Sequence, residues 1–160
     1  MAAKLIHEDL TKSVIGAFFE VYNEEGFGFL ENVYANSMQV ELRQRGHVVQ
    51  REVTIPIDYK GSPVRACRVD MVVDALLIIE VKSTTLLHPT ARRQLRNYLC
   101  ATGITVGLLL HFGPEPKFYR EVFTKKDRNR PTSGDPSKKR SVESALSAES
   151  ANQTGFPMAG

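Results

Sequence analysis

Arg68-Val69-Asp70-Met71-Val72-Val73-Asp74-Ala75-Leu76-Leu77-Ile78-Ile79-Glu80-Val81-Lys82 is the stretch from which the rest of the chain is read. Two β-branched, apolar runs flank Asp74-Ala75-Leu76, a hairpin signal that lacks the favoured Asn-Gly turn. With residue 75 at the turn centre, antiparallel pairing sets Asp70 directly across from Glu80. Side chains alternate along a strand, so Glu80 and Lys82 point the same way. Two carboxylates and one ammonium therefore converge on strands apolar enough to be buried on both faces. Charges placed there are costly unless they are paired or hold a metal.

Oxygen ligands of this kind suit hard cations, Mg2+ or Mn2+. A divalent ion held by Asp70 and Glu80 can bind a phosphate oxygen, acidify a water and steady a leaving group. The backbone carbonyl of Val81 is placed to be a further ligand. The Lys82 ammonium can orient the attacking water and offset charge at phosphorus. The set fits phosphodiester hydrolysis. The chain shows no Ser/His/Asp ordering, Cys/His pair or glycine-rich phosphate loop to suggest another reaction. The competing reading is a buried ion pair of Lys82 with Asp70 or Glu80, a device that seldom stabilises a core on balance.

Upstream, Leu10, Val14, Ala17, Phe18 and Val21 recur at helical spacing and predict a helix over residues 8–23. Gly26 and Gly28 break it. A second helix is expected from about Phe29 to Arg45, with Leu30, Val33, Tyr34, Ser37, Met38 and Leu42 inward and Gly46 as its stop. Gly28, Glu31 and Tyr34, three apart, are expected to form one row on that helix, with Gly28 allowing close approach of another element. Glu31 is a first-turn acid that the helix dipole favours, and also a further acid for the cluster.

His47 to Tyr59 reads as a strand whose Pro56 argues for an edge or a bulge. Lys60-Gly61-Ser62-Pro63 is a turn into the hairpin. A helix follows Leu87-His88-Pro89 and runs to about Ala101. It carries Gln94 and Tyr98 on one face, and Arg92 and Arg93, which can reach a phosphate backbone or simply form a solvated face. Thr105 to Phe112 and Lys117 to Phe123 are strands. His7, His47, His88 and His111 are scattered and read as surface or packed histidines, Asp74 as a turn residue, and Cys67 and Cys100 as core fillers.

The chain has 160 residues, enough for one domain with a core. No apolar run approaches the ~20 residues of a membrane span. The N-terminus turns acidic too early for a signal peptide, and two isolated cysteines suit a cytoplasmic protein. The net charge of +3 belongs to the tail: residues 1–123 hold equal numbers of acids and bases. From residue 124 to the end the apolar periodicity stops, and a disordered basic tail containing Lys138-Lys139-Arg140 is expected. The expected division is a folded domain over 1–123 and a tail over 124–160.

Gly28-Phe29-Leu30-Glu31-Asn32-Val33-Tyr34 resembles the GxxExxY pattern that names the GxxExxY proteins of the PD-(D/E)XK nuclease superfamily, the restriction-endonuclease-like fold. Val69-Asp70, Ile79-Glu80-Val81-Lys82, Gln94-Leu95-Arg96-Asn97-Tyr98 and Gly107-Leu108-Leu109-Leu110-His111-Phe112-Gly113 match in the same order. The resemblance covers roughly Leu10 to Phe123. It implies an α/β fold with a mixed central sheet, an antiparallel three-strand meander and flanking helices. It also implies Mg2+-dependent nuclease chemistry at Asp70, Glu80 and Lys82 with Glu31 added, DNA as the expected substrate, and Gln94 and Tyr98 beside the site in contact with it. His111 departs from the asparagine usual before Phe-Gly. A chain this short is expected to act as a homodimer or with a partner protein. A non-catalytic nucleic-acid-binding or protein-interaction module on the same fold is the alternative.

Overall fold

The computed structural model describes residues 5–128. Its elements are α1 (Glu8–Glu25), α2 (Glu31–Gln44), β1 (Val49–Tyr59), β2 (Ser62–Val73), β3 (Leu77–Lys82), α3 (Ala91–Thr102), β4 (Val106–Phe112), β5 (Pro116–Val122) and a single helical turn, α4 (Lys125–Arg128). In that turn Asp127 accepts the amide of Thr124 at 2.9 Å. The tail expected to be unstructured lies, from residue 129 on, outside the described residues, as does Lys138-Lys139-Arg140.

The strands form one mixed sheet in the order β1-β2-β3-β4-β5, flanked by helices in an α/β arrangement. β1, β2 and β3 make an antiparallel meander, β3 and β4 run parallel, and β5 returns antiparallel. The crossover from β3 to β4 carries α3, as parallel neighbours require. β1 lies at an edge and slips register between Ile57 and Asp58, next to Pro56, which has no amide to donate.

Two apolar layers sandwich the sheet. Val14, Phe18, Tyr34, Met38 and Leu42 of α1 and α2 pack on Leu77, Ile79 and Val81. Leu95, Tyr98 and Leu99 of α3 pack with Ile78 and Leu109 on the opposite face. Glu80 and Lys82 share the parity of Ile78 and so face α3. Gly107 lets α3 approach: a Cβ there would meet Leu95 Cδ1 at 2.8 Å.

The central hairpin has the expected register, Met71↔Ile79, Val72↔Ile78 and Val73↔Leu77. Its turn is made without glycine. Asp74 (φ 51°) and Ala75 (φ 56°) both adopt the left-handed conformation that a tight hairpin turn demands. Bonds from outside the turn hold them there. Asp74 accepts the amide of Val48 at 2.8 Å, and its other oxygen meets His47 Nδ1 at 2.7 Å. Ser13 Oγ lies 2.7 Å from the far nitrogen of His47.

Three expectations are corrected. Leu30 is not inward but three-quarters exposed, because α2 begins two residues later, at Glu31, and leaves Leu30 as its cap. Gly28 precedes the helix rather than heading a row on it; nothing crowds its missing Cβ, and its φ of 119° is what requires glycine. Cys100 is exposed and Cys67 only half-buried, so Cys100 is no core filler.

Candidate active site

The loop between α1 and α2 aims Glu31. Tyr34, one turn into α2, is buried and stacks on Phe112 with centroids 4.2 Å apart. Its hydroxyl donates to the carbonyl of Gly26 at 2.5 Å and accepts the amide of Phe29 at 3.3 Å. Gly28 supplies the turn, Tyr34 fixes it, and Glu31 emerges as the first residue of the helix. The Gly-x-x-Glu-x-x-Tyr spacing is thus a loop clamp with an acid in its middle.

Across from it, the end of the hairpin gathers the remaining charges. Val69 and Val72 both belong to the layer under α3, although three apart, so the alternation of β2 breaks between them. The β1–β2 pairing passes from Arg51↔Met71 to Val53↔Val69 around Glu52, whose φ is 52°. Asp70 sits in this break, a local irregularity of the kind that re-aims a side chain. Its Oδ2 accepts the amide of Val81 at 2.7 Å.

Glu80 is 3% exposed. Its Oε1 accepts from Lys82 Nζ at 2.9 Å, while its Oε2 is buried with no hydrogen-bond partner among the described residues. Lys82 Nζ also stands 3.7 Å from Glu31 Oε1, so two of the expected acids, Glu80 and Glu31, meet at one ammonium. Burial, and then the charge of Asp70, push the Glu80 carboxyl up to about 7 against the pull of Lys82. Burial works to lower Lys82, but the charge and hydrogen bond of Glu80, with Glu31 and Asp70 behind it, outweigh burial and raise it. The acids are not yet a cage: among the described residues no three His, Cys, Asp or Glu side chains close on one point. Asp70 is turned to a backbone amide and Glu80 to the lysine.

α3 brings Tyr98 to the same place. Its phenol is pushed up by burial and by the charge of Glu80, and Gln94 donates to it at 2.6 Å. Arg93 is exposed. Arg92 takes another direction. Its Nε donates to the buried Glu121 of β5 at 2.6 Å, its guanidinium stacks over Tyr119, and Arg96 joins the same carboxylate at 3.3 Å. The free solvated face or phosphate contact read for Arg92 is therefore already partly committed within the domain.

One neighbour, read from the sequence as a surface or packed histidine, is a packed one. His111 is the cross-strand partner of Lys82 and is 4% exposed. Its Nε2 donates to the carbonyl of Thr84 at 2.7 Å, pinning the chain just after Lys82. Its place before Phe112-Gly113 was the only available signal.

The orphaned Glu80 oxygen, beside a second acid and with Lys82 as the only cation in contact among the described residues, is the donor chemistry that a hard divalent cation would satisfy. A search of curated proteins finds no match. Among solved structures, the one titled "Crystal structure of SSO0001" is 16% identical, with a TM-score of 0.47, over 91% of this chain and 69% of its own. An alkaline exonuclease (LHK-Exo) from Laribacter hongkongensis is 12% identical, with a TM-score of 0.41, over 93% of this chain and 80% of its own. A family model described as the PD-(D/E)XK nuclease superfamily matches residues 8–122. With the acid, acid-x-lysine set in place on the meander, this chain belongs to the PD-(D/E)XK nuclease superfamily.

Proposed function

We propose that the protein is a metal-dependent nuclease of the GxxExxY type that hydrolyses phosphodiester bonds, with DNA as its substrate. The observation that carries this reading is Glu80: a carboxylate almost wholly buried, one oxygen on Lys82 and the other without any partner. A stability device would satisfy both oxygens. Asp70, Glu80 and the carbonyl of Val81 would hold Mg2+ or Mn2+, with Glu31 as an outlying acid. When bound, such an ion would polarise a phosphate oxygen and acidify a water. Lys82, kept protonated by its carboxylates, would orient that water and offset charge at phosphorus. Tyr98 and Gln94 would bind substrate from α3, joined by Arg93 and by whatever of Arg92 its pairing with Glu121 leaves free.

Cleavage of single- and double-stranded DNA and of RNA, with Mg2+, Mn2+ or a chelator, tests the reading. Asp70→Ala and Lys82→Ala are expected to be inactive; activity equal to the wild type would trace the cleavage to a contaminant. One observation favours a second reading. Asp70 is engaged by the Val81 amide, as it would be in a binding module that has kept the fold without the chemistry. Calorimetry with Mn2+ separates the two, since only the nuclease takes up the ion. Cys67 and Cys100 are unpaired thiols, which supports a reducing compartment such as the cytoplasm. No described helix is long and apolar enough to cross a membrane. The chain would act as a homodimer or with a partner protein.

A further inference from the structure

We propose that Phe27, Leu30 and Leu86, with Phe29 behind them, form a base-stacking rim at the acid cluster, so that the preferred substrate is single-stranded nucleic acid rather than intact duplex. The inference rests on the nuclease reading above and assigns its substrate class.

Two short loops border the cluster. One ends in Leu30 immediately before Glu31; the other leaves Lys82 and carries Leu86 four residues on. Ser83 Oγ donates to the carbonyl of Phe29 at 2.6 Å and ties them together. Both loops turn large apolar side chains outward: Phe27 is 45% exposed, Phe29 51%, Leu30 75% and Leu86 84%. Phe29 is braced edge-on by Tyr34 at 6.1 Å, so its backbone and ring form a fixed base for the rim. These four side chains belong to neither of the two apolar core layers.

The charge balance indicates what covers it. Residues 1–123 carry equal numbers of acids and bases, and within that balance the cluster sets three carboxylates against one lysine. A neutral body gains little from displacing counterions, the term that dominates binding to duplex backbones. Affinity must then come from contacts other than charge. Every phosphodiester held at the acids carries a nucleoside on each side. An unpaired base has a free face to stack on Phe27 and to pack against Leu30 and Leu86, and stacking on an aromatic side chain tolerates any sequence. In a duplex those faces are covered by neighbouring bases and cannot reach it.

The test is equilibrium binding by the full-length protein, in a chelator so that nothing is cut, at a salt concentration of about 0.3 M that screens the basic tail. The probes are a single-stranded oligonucleotide carrying 2-aminopurine and the matching blunt duplex. The proposal requires the single strand to bind at least about tenfold more tightly, and its fluorescence to change as the base stacks. Phe27→Ser and Leu86→Ser together, both at exposed positions, should leave the melting temperature unchanged and weaken the single strand by about tenfold or more. Equal or tighter binding of the duplex overturns it, as does unaltered binding by the double variant. A fall from dimer to monomer in the double variant, with binding intact, would instead make the rim a subunit contact. Because binding is read without cleavage, a loss of the stacking rim and a loss of the nuclease assignment show up in different assays.

Discussion

Asp70 Oδ2 accepts the amide of Val81 at 2.7 Å, so a side chain takes over from the backbone where the β2–β3 ladder ends. One carboxylate thereby closes the sheet and contributes charge to the site. The two roles separate by substitution. Asp70→Asn keeps an oxygen acceptor and loses the charge; Asp70→Ala loses both. Each is expected to lower cleavage by about 10²-fold or more. Only Asp70→Ala should also lose stability, about 1–2 kcal/mol for the orphaned amide, read as a fall in the urea midpoint at constant slope.

Glu80 makes the fold sensitive to pH in the direction opposite to an ordinary paired acid. Its carboxyl is pushed up to about 7 by burial and Asp70, from 4.5 when unfolded. Between those values the folded state binds more protons than the unfolded state, so stability falls as pH rises from about 4.5 to about 7 and is level above. The loss is on the order of 3 kcal/mol. Glu80→Gln should remove this slope, raise the melting temperature at pH 8 and abolish cleavage. A melting curve against pH for both proteins checks all but the last.

Gly107 places α3, and with it Gln94 and Tyr98. Its backbone needs no unusual angle, so only the space matters: an added methyl would lie 2.8 Å from Leu95 Cδ1 and 3.1 Å from Cγ. Gly107→Ala is expected to destabilise by about 1–3 kcal/mol through overpacking. Leu95→Ala removes the clashing branch, so the double variant should lose less than the two single costs combined. A double-mutant cycle by chemical denaturation measures that coupling.

The Ser13-His47-Asp74 chain is geometrically a nucleophile-base-acid series, yet it serves as a clip. It joins α1, the α2–β1 link and the left-handed β2–β3 turn, at the end of β3 away from Glu80 and Lys82. His47→Ala should cost about 1–2 kcal/mol of stability by taking the imidazole partner from Asp74 Oδ2 and Ser13 Oγ. Assayed below its melting temperature, that variant should cleave nucleic acid as the wild type does.

The hairpin register was legible because it depends on local matters, alternation and a turn signal, and it sets Glu80 and Lys82 on one face. Glu31 and Tyr34 were legible as a spacing, though not as the clamp they form, since that needs the carbonyl of Gly26 and the ring of Phe112. The direction of Asp70 was not legible. It follows from the twist at Glu52, a residue on another strand with nothing in its identity to announce a positive φ. Arg92 was read as free because its partner, Glu121, lies 29 residues on and meets it only once β5 has returned along the sheet. The exposure of Leu30 turned on a two-residue difference in where α2 begins.

The meander has a temporal consequence as well as a spatial one. β1 and β2 are joined through Lys60-Gly61, and β2 and β3 through Asp74-Ala75-Leu76, whereas β3 reaches β4 only after the whole excursion through α3. Closing short loops forfeits less chain entropy than closing long ones, so near pairings are favoured ahead of far ones. Asp70, Glu80 and Lys82 ride on the near pairings. Loop entropy favours meeting their mutual repulsions and attractions while water still surrounds them, and the desolvation that lifts Glu80 needs α3 in place.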